Sequence, residues 1–356
     1  MAAARRALGR TFAPATAARA LAVLLFALLF GVPASARPFI DAAGRRVEVP
    51  EKAARILAAG PPASVLLYTL APARMIGWSR APDPDEKRYL ARETWDLPTT
   101  GRLTGRGNTA NVEAVLALKP DLIVDVGATD ATYASLADRV QAQTGIPYIL
   151  LDGRFPQIPE TYRVLGRALG EEARAEELAA YAERTLAEVG AAVGSRPPEE
   201  RPRVYYGRGP RGLETGLSGS INTEIIEAAG GRNVAGAAGR GGLATVSPEQ
   251  ILAWDPDVIL TLDAPFRAAL STDALWSGLK AVRAGKVYQA PRLPFGWFDS
   301  PPGVNRLIGL RWLAGLLHPD RFWQPIEAET RRFYRLFYHV DLTPDQVAAL
   351  LSGAGR

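Results

Sequence analysis

One segment of the chain occurs twice. NVEAVLALKPDLIVDVG begins at Asn111, and SPEQILAWDPDVILTLD begins at Ser247. Over their first 16 positions, Glu, Leu, Ala, Pro, Asp and Ile are identical, and pairs such as Val115 with Ile251 are alike in kind. Each copy reads as a short helix followed by a buried strand. Asn111 and Ser247 are N-cap residues, and Pro248 stands at the first helical position, where a missing N–H costs nothing. The helices stop before Pro120 and Pro256, and Asp121 and Asp257 lead into strands that are apolar throughout. A repeat this long describes a duplicated domain, because solenoid repeats are far shorter. Glu113 and Glu249 therefore fall at matched places on two lobes, in the first helical turn, where an acid also complements the helix dipole.

The surrounding chain alternates in the same way. Residues 37–50 read as a hairpin turning at Asp41–Gly44. Strands follow at 55–60 and 74–78, with a helix at 61–72 between them. Residues 79–110 read as a long surface connection. A helix at 132–145 and a strand at 146–152 close the first half. Residues 158–194 carry helical periodicity with a break at Gly170, and SRPPEERP (195–202) interrupts the pattern. The second half repeats the alternation: a strand at 203–207, a helix at 220–231, the second copy, a strand at 285–290, and helices at 300–317 and 325–340. Apolar strands alternating with helices predict an α/β fold: two Rossmann-like lobes with parallel-rich sheets, a long helical linker and a ligand cleft between the lobes. The predicted division is 37–157, a linker over 158–195, and 196–356 with the C-terminal helices.

The first 36 residues differ from the rest. Arg5, Arg6, Arg10 and Arg19 precede an apolar run, Leu21–Val32, and the small residues of PASA. This is the pattern of a cleavable secretory signal, and the run is shorter than the roughly 20 residues of a membrane span. Removing it lowers the formal charge from +5 to about +1, so the high pI gives no support to nucleic-acid binding. The chain has no Cys and only two His, which excludes Cys-based metal sites and leaves few ligands for a zinc or nickel centre.

These segments, in this order, resemble one family. DAAGRRVEVP, NVEAVLALKPDLIVD, AAGGRNVA (228–235), VSPEQILAWDPDVIL, AGKVY (284–288) and the C-terminal PPGVNRLIGLRWLAGLLHPD are similar to those of periplasmic substrate-binding proteins of the helical-linker class. These serve ATP-driven importers of iron–siderophore complexes, haem and vitamin B12. The resemblance covers most of the chain beyond the signal. It implies a periplasmic, monomeric protein that hands its cargo to an ABC permease dimer, with Glu113 and Glu249 docking onto permease arginines.

Ligands of open α/β sheets bind beyond the carboxyl ends of the strands. There the sequence offers Arg80, Arg154 and Arg208 as charge partners and Trp78, Tyr206 and Trp297 as walls. Loop 102–108, Gly127, Asp263 and Arg292 lie within reach. Arginine forks suit carboxylate, catecholate or oxyanion groups, and rings suit flat chelate backbones. The expected cargo is a ferric, siderophore-like chelate, with no resident cofactor and no directly bound metal. A molybdate- or tungstate-type oxyanion and cobalamin are the alternatives within this fold. An enzyme is disfavoured: GxSxG and HExxH are absent, and neither His318 nor His339 follows a strand.

Overall fold

The computed structural model describes residues 36–104, 112–323 and 325–352. Strand β1 (Ala36–Ile40) pairs antiparallel with β2 (Arg46–Pro50). The Asp41 carboxylate forms their turn by accepting the N–H groups of Ala43 and Arg45 at 3.0 and 2.9 Å. Its other oxygen accepts Leu150 N–H at 3.1 Å, which ties the hairpin to the first sheet. That sheet is parallel, in the order β3 (Ile56–Ala58), β4 (Leu122–Gly127) and β5 (Tyr148–Asp152). It is flanked by α1 (Pro61–Leu70), α2 (Pro84–Lys87), α3 (Val112–Ala117) and α4 (Ala131–Thr144).

Two expectations need correction here. The strand expected at 74–78 contributes only single bridges, Ile56 with Met75 and Trp78 with Thr99. The described part of 79–110 is not a surface connection, because Glu86, Tyr89, Leu90, Ala91 and Thr94 are buried. Side chains supply the partners its backbone needs in the interior. Tyr68 Oη accepts Ala91 N–H at 2.9 Å, and Trp78 Nε1 donates to Thr94 O at 2.7 Å.

The linker is two helices, α5 (Ile158–Leu169) and α6 (Glu172–Val193). Gly170 separates them at φ +69°, in the left-handed region that glycine enters without steric cost. The second lobe holds β6 (Arg203–Gly207), β7 (Glu214–Gly216), β8 (Arg232–Asn233), β9 (Leu243–Thr245), β10 (Val258–Thr261) and β11 (Val287–Gln289). Four of them form a parallel sheet in the order β11-β10-β6-β8, and β7 pairs antiparallel with β9. Its helices are α7 (Glu224–Ala228), α8 (Pro248–Trp254), α9 (Ala264–Thr272) and α10 (Lys280–Arg283), followed by α11 (Arg306–Leu317), α12 (Ile326–Tyr338) and α13 (Pro344–Leu351). Helix α7 is much shorter than the predicted 220–231, and α11 begins only after Pro301-Pro302-Gly303. The sequence reading did not anticipate β7, β9, α9 or α13.

Each lobe has a core of its own. Leu57, Ile123, Val140 and Tyr148 belong to the first; Tyr205, Ile251, Ile259 and Phe266 belong to the second. A larger aromatic core joins them. Phe333 and Phe337 of α12 stack at 4.4 Å, and Phe337 meets Tyr181 of α6 at 5.1 Å. Tyr338 lies 6.3 Å from Tyr68 of α1, and Phe295 meets both Tyr68 and Trp78. Helix α12, near the end of the chain, thus packs against α1 of the first lobe. Among the described residues, no helix is long and apolar enough to cross a membrane.

Candidate functional site

Segment 296–303 touches both lobes: Asp299 meets Tyr206 and Arg208 at the end of β6, and Pro302 and Gly303 lie beside Val126 and Asp152 at the ends of β4 and β5. On the first lobe β5 ends at Asp152-Gly153. A Cβ on Gly153 would stand 2.8 Å from Gly127 Cα at the end of β4, so only glycine permits this approach. On the second lobe β6 ends at Gly207-Arg208. The Asp299 carboxylate, 0% exposed, accepts Arg208 Nε at 2.7 Å, Asn222 Nδ2 at 2.9 Å and the Tyr206 hydroxyl at 3.3 Å. Burial, with Asp299 alongside, holds the Tyr206 phenol well above its usual range. Ser300 follows at φ +63° and is exposed. A non-glycine residue in this region carries about 1–3 kcal/mol of strain, which clusters at functional sites.

Arg306 lies at the lobe junction and is 0% exposed. Its Nη1 donates to Ile221 O at 2.6 Å and to Glu224 Oε1 at 2.8 Å. Its Nη2 donates to Gly153 O at 3.2 Å, and its Nε to Gly303 O at 3.1 Å. The same Glu224 oxygen accepts Phe155 N–H at 2.7 Å, and the guanidinium sits 5.0 Å from the Phe155 ring centre. Burial lowers the Arg306 pKa from its ordinary value, and Glu224 opposes this. The first lobe and α7 of the second are joined through this one cation. The sequence reading missed it. The available signal was a lone arginine in the apolar stretch RLIGL, since a buried charge must find partners. Beside it, Pro62, Val126, Asp152, Gly303 and Arg306 help line a cavity of about 10 Å³, roughly one water probe. A larger hollow of about 500 Å³ lies between α9 and β11, and no first-lobe residue lines it.

The predicted ligand residues are placed differently from expectation. Arg80 is forked onto Glu86 at 2.5 and 3.0 Å, Arg154 onto Asp152 at 2.5 and 2.9 Å, and Arg208 onto Glu214 and Asp299. None of the three presents an unpaired fork. Trp78, Tyr206 and Trp297 are buried, and Trp297 Nε1 donates to Tyr334 Oη at 3.2 Å. They support the strand ends from within and do not wall an open cleft, because their polar tips all find protein partners. Asp263 accepts Gly209 N–H at 2.8 Å, and Arg292 is exposed. Positions 105–108 of the predicted loop lie outside the described residues. Among the described residues, no three His, Asp or Glu side chains form a metal-binding group.

The two duplicated units end on the same kind of contact, an arginine at the start of a strand donating to their last carbonyls. Glu113 and Glu249 are both exposed in a first turn. The Glu249 carboxyl is held below its usual range by its own backbone N–H and by Ser247. Ser247 and Gln250 form a capping box, whereas the predicted cap Asn111 lies outside the described residues. Lys119 and Asp255 end the two units at φ +48° and +38°. Arg55 Nη2 then donates to Leu118 O at 2.7 Å and its Nε to Lys119 O at 3.1 Å. Arg203 donates to the equivalent carbonyls, those of Trp254 and Asp255, the latter at 3.2 Å. Asp121 accepts the N–H groups of Ala54 and Arg55 at 2.9 Å, and Asp257 accepts that of Arg203 at 2.9 Å. The duplication therefore extends to the starts of β3 and β6, at Arg55-Ile56 and Arg203.

The architecture is that of a two-lobed solute-binding protein, and comparison with known proteins agrees. The chain belongs to the periplasmic binding protein family, whose profile matches residues 77–293. An ABC transporter solute-binding protein from Sulfurospirillum deleyianum superimposes with a TM-score of 0.80 at 32% identity, over 89% of this chain and 99% of that one. The molybdate-binding protein MolA of Haemophilus influenzae is 26% identical over 73% of this chain and 77% of its own length. A cobalamin-binding protein of Halobacterium salinarum is 32% identical over 54% of this chain, which spans about half of that relative (52%). The protein is a solute-binding component of ABC-type transport with an extracytoplasmic place of work, and it is not an enzyme.

Proposed function

We propose that this protein captures a compact tetrahedral oxyanion of the molybdate or tungstate class between its lobes and delivers it to an ABC permease. The observation that carries this reading is the burial of Trp78, Tyr206 and Trp297, which leaves a flat chelate none of the expected aromatic walls. Guanidinium forks suit a chelate's carboxylates and an oxyanion alike, but a large flat chelate also needs exposed aromatic walls. A small oxyanion is held by backbone N–H groups and hydroxyls, and the exposed Ser300, next to the buried Asp299, offers one such hydroxyl between the lobes. The similarity to a molybdate-binding relative over most of both chains supports the same class. The expected ferric chelate becomes the second reading. Glu113 and Glu249, one per lobe, dock the loaded protein on the permease. The protein acts as a monomer divided at about 157 and 195, and residues 1–36 are its export signal.

Thermal unfolding in the presence of molybdate, tungstate, sulfate, a ferric hydroxamate, a ferric catecholate and cobalamin tests the reading. A ligand at 100 times its Kd stabilises the folded state by about 2.7 kcal/mol. Molybdate and tungstate are expected to raise Tm, and the chelates to leave it unchanged. A rise with a ferric chelate and none with molybdate would restore the second reading.

A further inference from the structure

We infer that Arg55 and Arg203 are positioning residues for permease docking, each fixing the short helix that carries its lobe's exposed glutamate. This inference rests on the reading of Glu113 and Glu249 as docking residues. Helices α3 and α8 have six and seven residues. Helices this short have little stability of their own, so their orientation must be imposed by their surroundings. In both lobes the same device imposes it. A guanidinium at the start of a core strand grips the two carbonyls that end the helical unit, Leu118 and Lys119 or Trp254 and Asp255. An aspartate two residues beyond the last carbonyl grips the arginine's own backbone N–H, and its N–H returns to the arginine's carbonyl at 2.7 Å (Asp121) and 2.8 Å (Asp257). Cations at a helix C-terminus are favourable, and a fork that spans two carbonyls also limits rotation. Each glutamate lies five residues before its first gripped carbonyl, so rotation of the helix carries the carboxylate with it.

One difference between the two clamps makes the inference testable. In the second lobe Lys280 adds to the clamp, donating its backbone N–H to Asp255 Oδ1 at 2.7 Å and its ammonium to Asp257. Loss of Arg55 should therefore matter more than loss of Arg203.

The test measures binding of the full mature chain to its importer in nanodiscs by surface plasmon resonance, with no solute added. Variants are E113A, E249A, R55A, R203A, R55K and the pairs R55A/E113A and R55A/E249A, with far-UV circular dichroism to check folding. R55A is expected to weaken docking about 2–5-fold, R203A by less, and R55K by an intermediate amount. Adding R55A to E113A should weaken docking no further, because the knob it positions is already gone. Adding it to E249A should multiply the two losses. A merely structural role would give the same factor in both backgrounds, and that result, or a neutral R55A, overturns the inference. If E113A and E249A are themselves neutral, the docking assignment fails, and the inference falls with it.

Discussion

At Arg306, four acceptors from three parts of the chain converge on one buried guanidinium. Replacing it with methionine keeps the bulk and removes the donors, leaving Glu224 and three carbonyls without their partner. Breaking a buried pair in this way costs about 3–5 kcal/mol. Urea unfolding of Arg306→Met should show a loss of that size. Arg80→Ala should cost only about 0–1 kcal/mol, because the Arg80 side chain is 60% exposed and water screens its pair with Glu86. Equal losses would refute the distinction. The sequence marked Arg154 and Arg208 correctly as strand-end arginines, whereas Arg80 follows a segment that forms only isolated bridges. The sequence did not mark the three as neutralised, although Glu86, Asp152 and Glu214 lie within six residues of them. The other partner of Arg208, Asp299, is remote in sequence, and only the fold brings it in.

Among the elements, the duplicated helix–strand unit was the most legible, because its caps, prolines and apolar strands all agree. The linker was legible too, including its break. Gly170 has φ +69° and open space around its Cα, so Gly170→Ala meets a purely conformational penalty. A loss of about 1–2 kcal/mol in chemical denaturation is expected, with no change in fold. An unchanged midpoint would mean that the helices do not require the left-handed turn. The illegible elements have two causes. Residues 74–78 have a strand's composition, but Gly77 is pressed against Pro98, where a Cβ would stand 2.4 Å from the carbonyl oxygen. That segment packs on an irregular chain and gains only isolated bridges. Strands β7 and β9 have three residues each, too few for a periodic pattern.

Over the whole molecule, packing of α12 on α1 and α6 limits how far the lobes can part, since both contribute to one aromatic core. His318 lies at the end of α11, against the end of α7. It is buried, its Nε2 lies 3.1 Å from Ala229 O, and its Nδ1 has no hydrogen-bond partner among the described residues. Burial, aided by Arg196, lowers its pKa below the ordinary value of about 6.5. A depressed folded-state pKa contributes stability above the unfolded value, which is lost as pH falls through the folded one. Unfolding free energy should therefore decline below about pH 6.5, by up to about 1.4 kcal/mol per pH unit for this group. His318→Gln should flatten that decline in denaturation series from neutral to acid pH. An identical slope in the variant would contradict the assignment.

Cargo class is the claim on which the functional account turns. Native mass spectrometry of the mature protein purified from the periplasm, with elemental analysis of the same sample, tests it most directly. The account predicts one bound oxyanion containing molybdenum or tungsten, and no iron. A stoichiometric ferric chelate in the same preparation would contradict it.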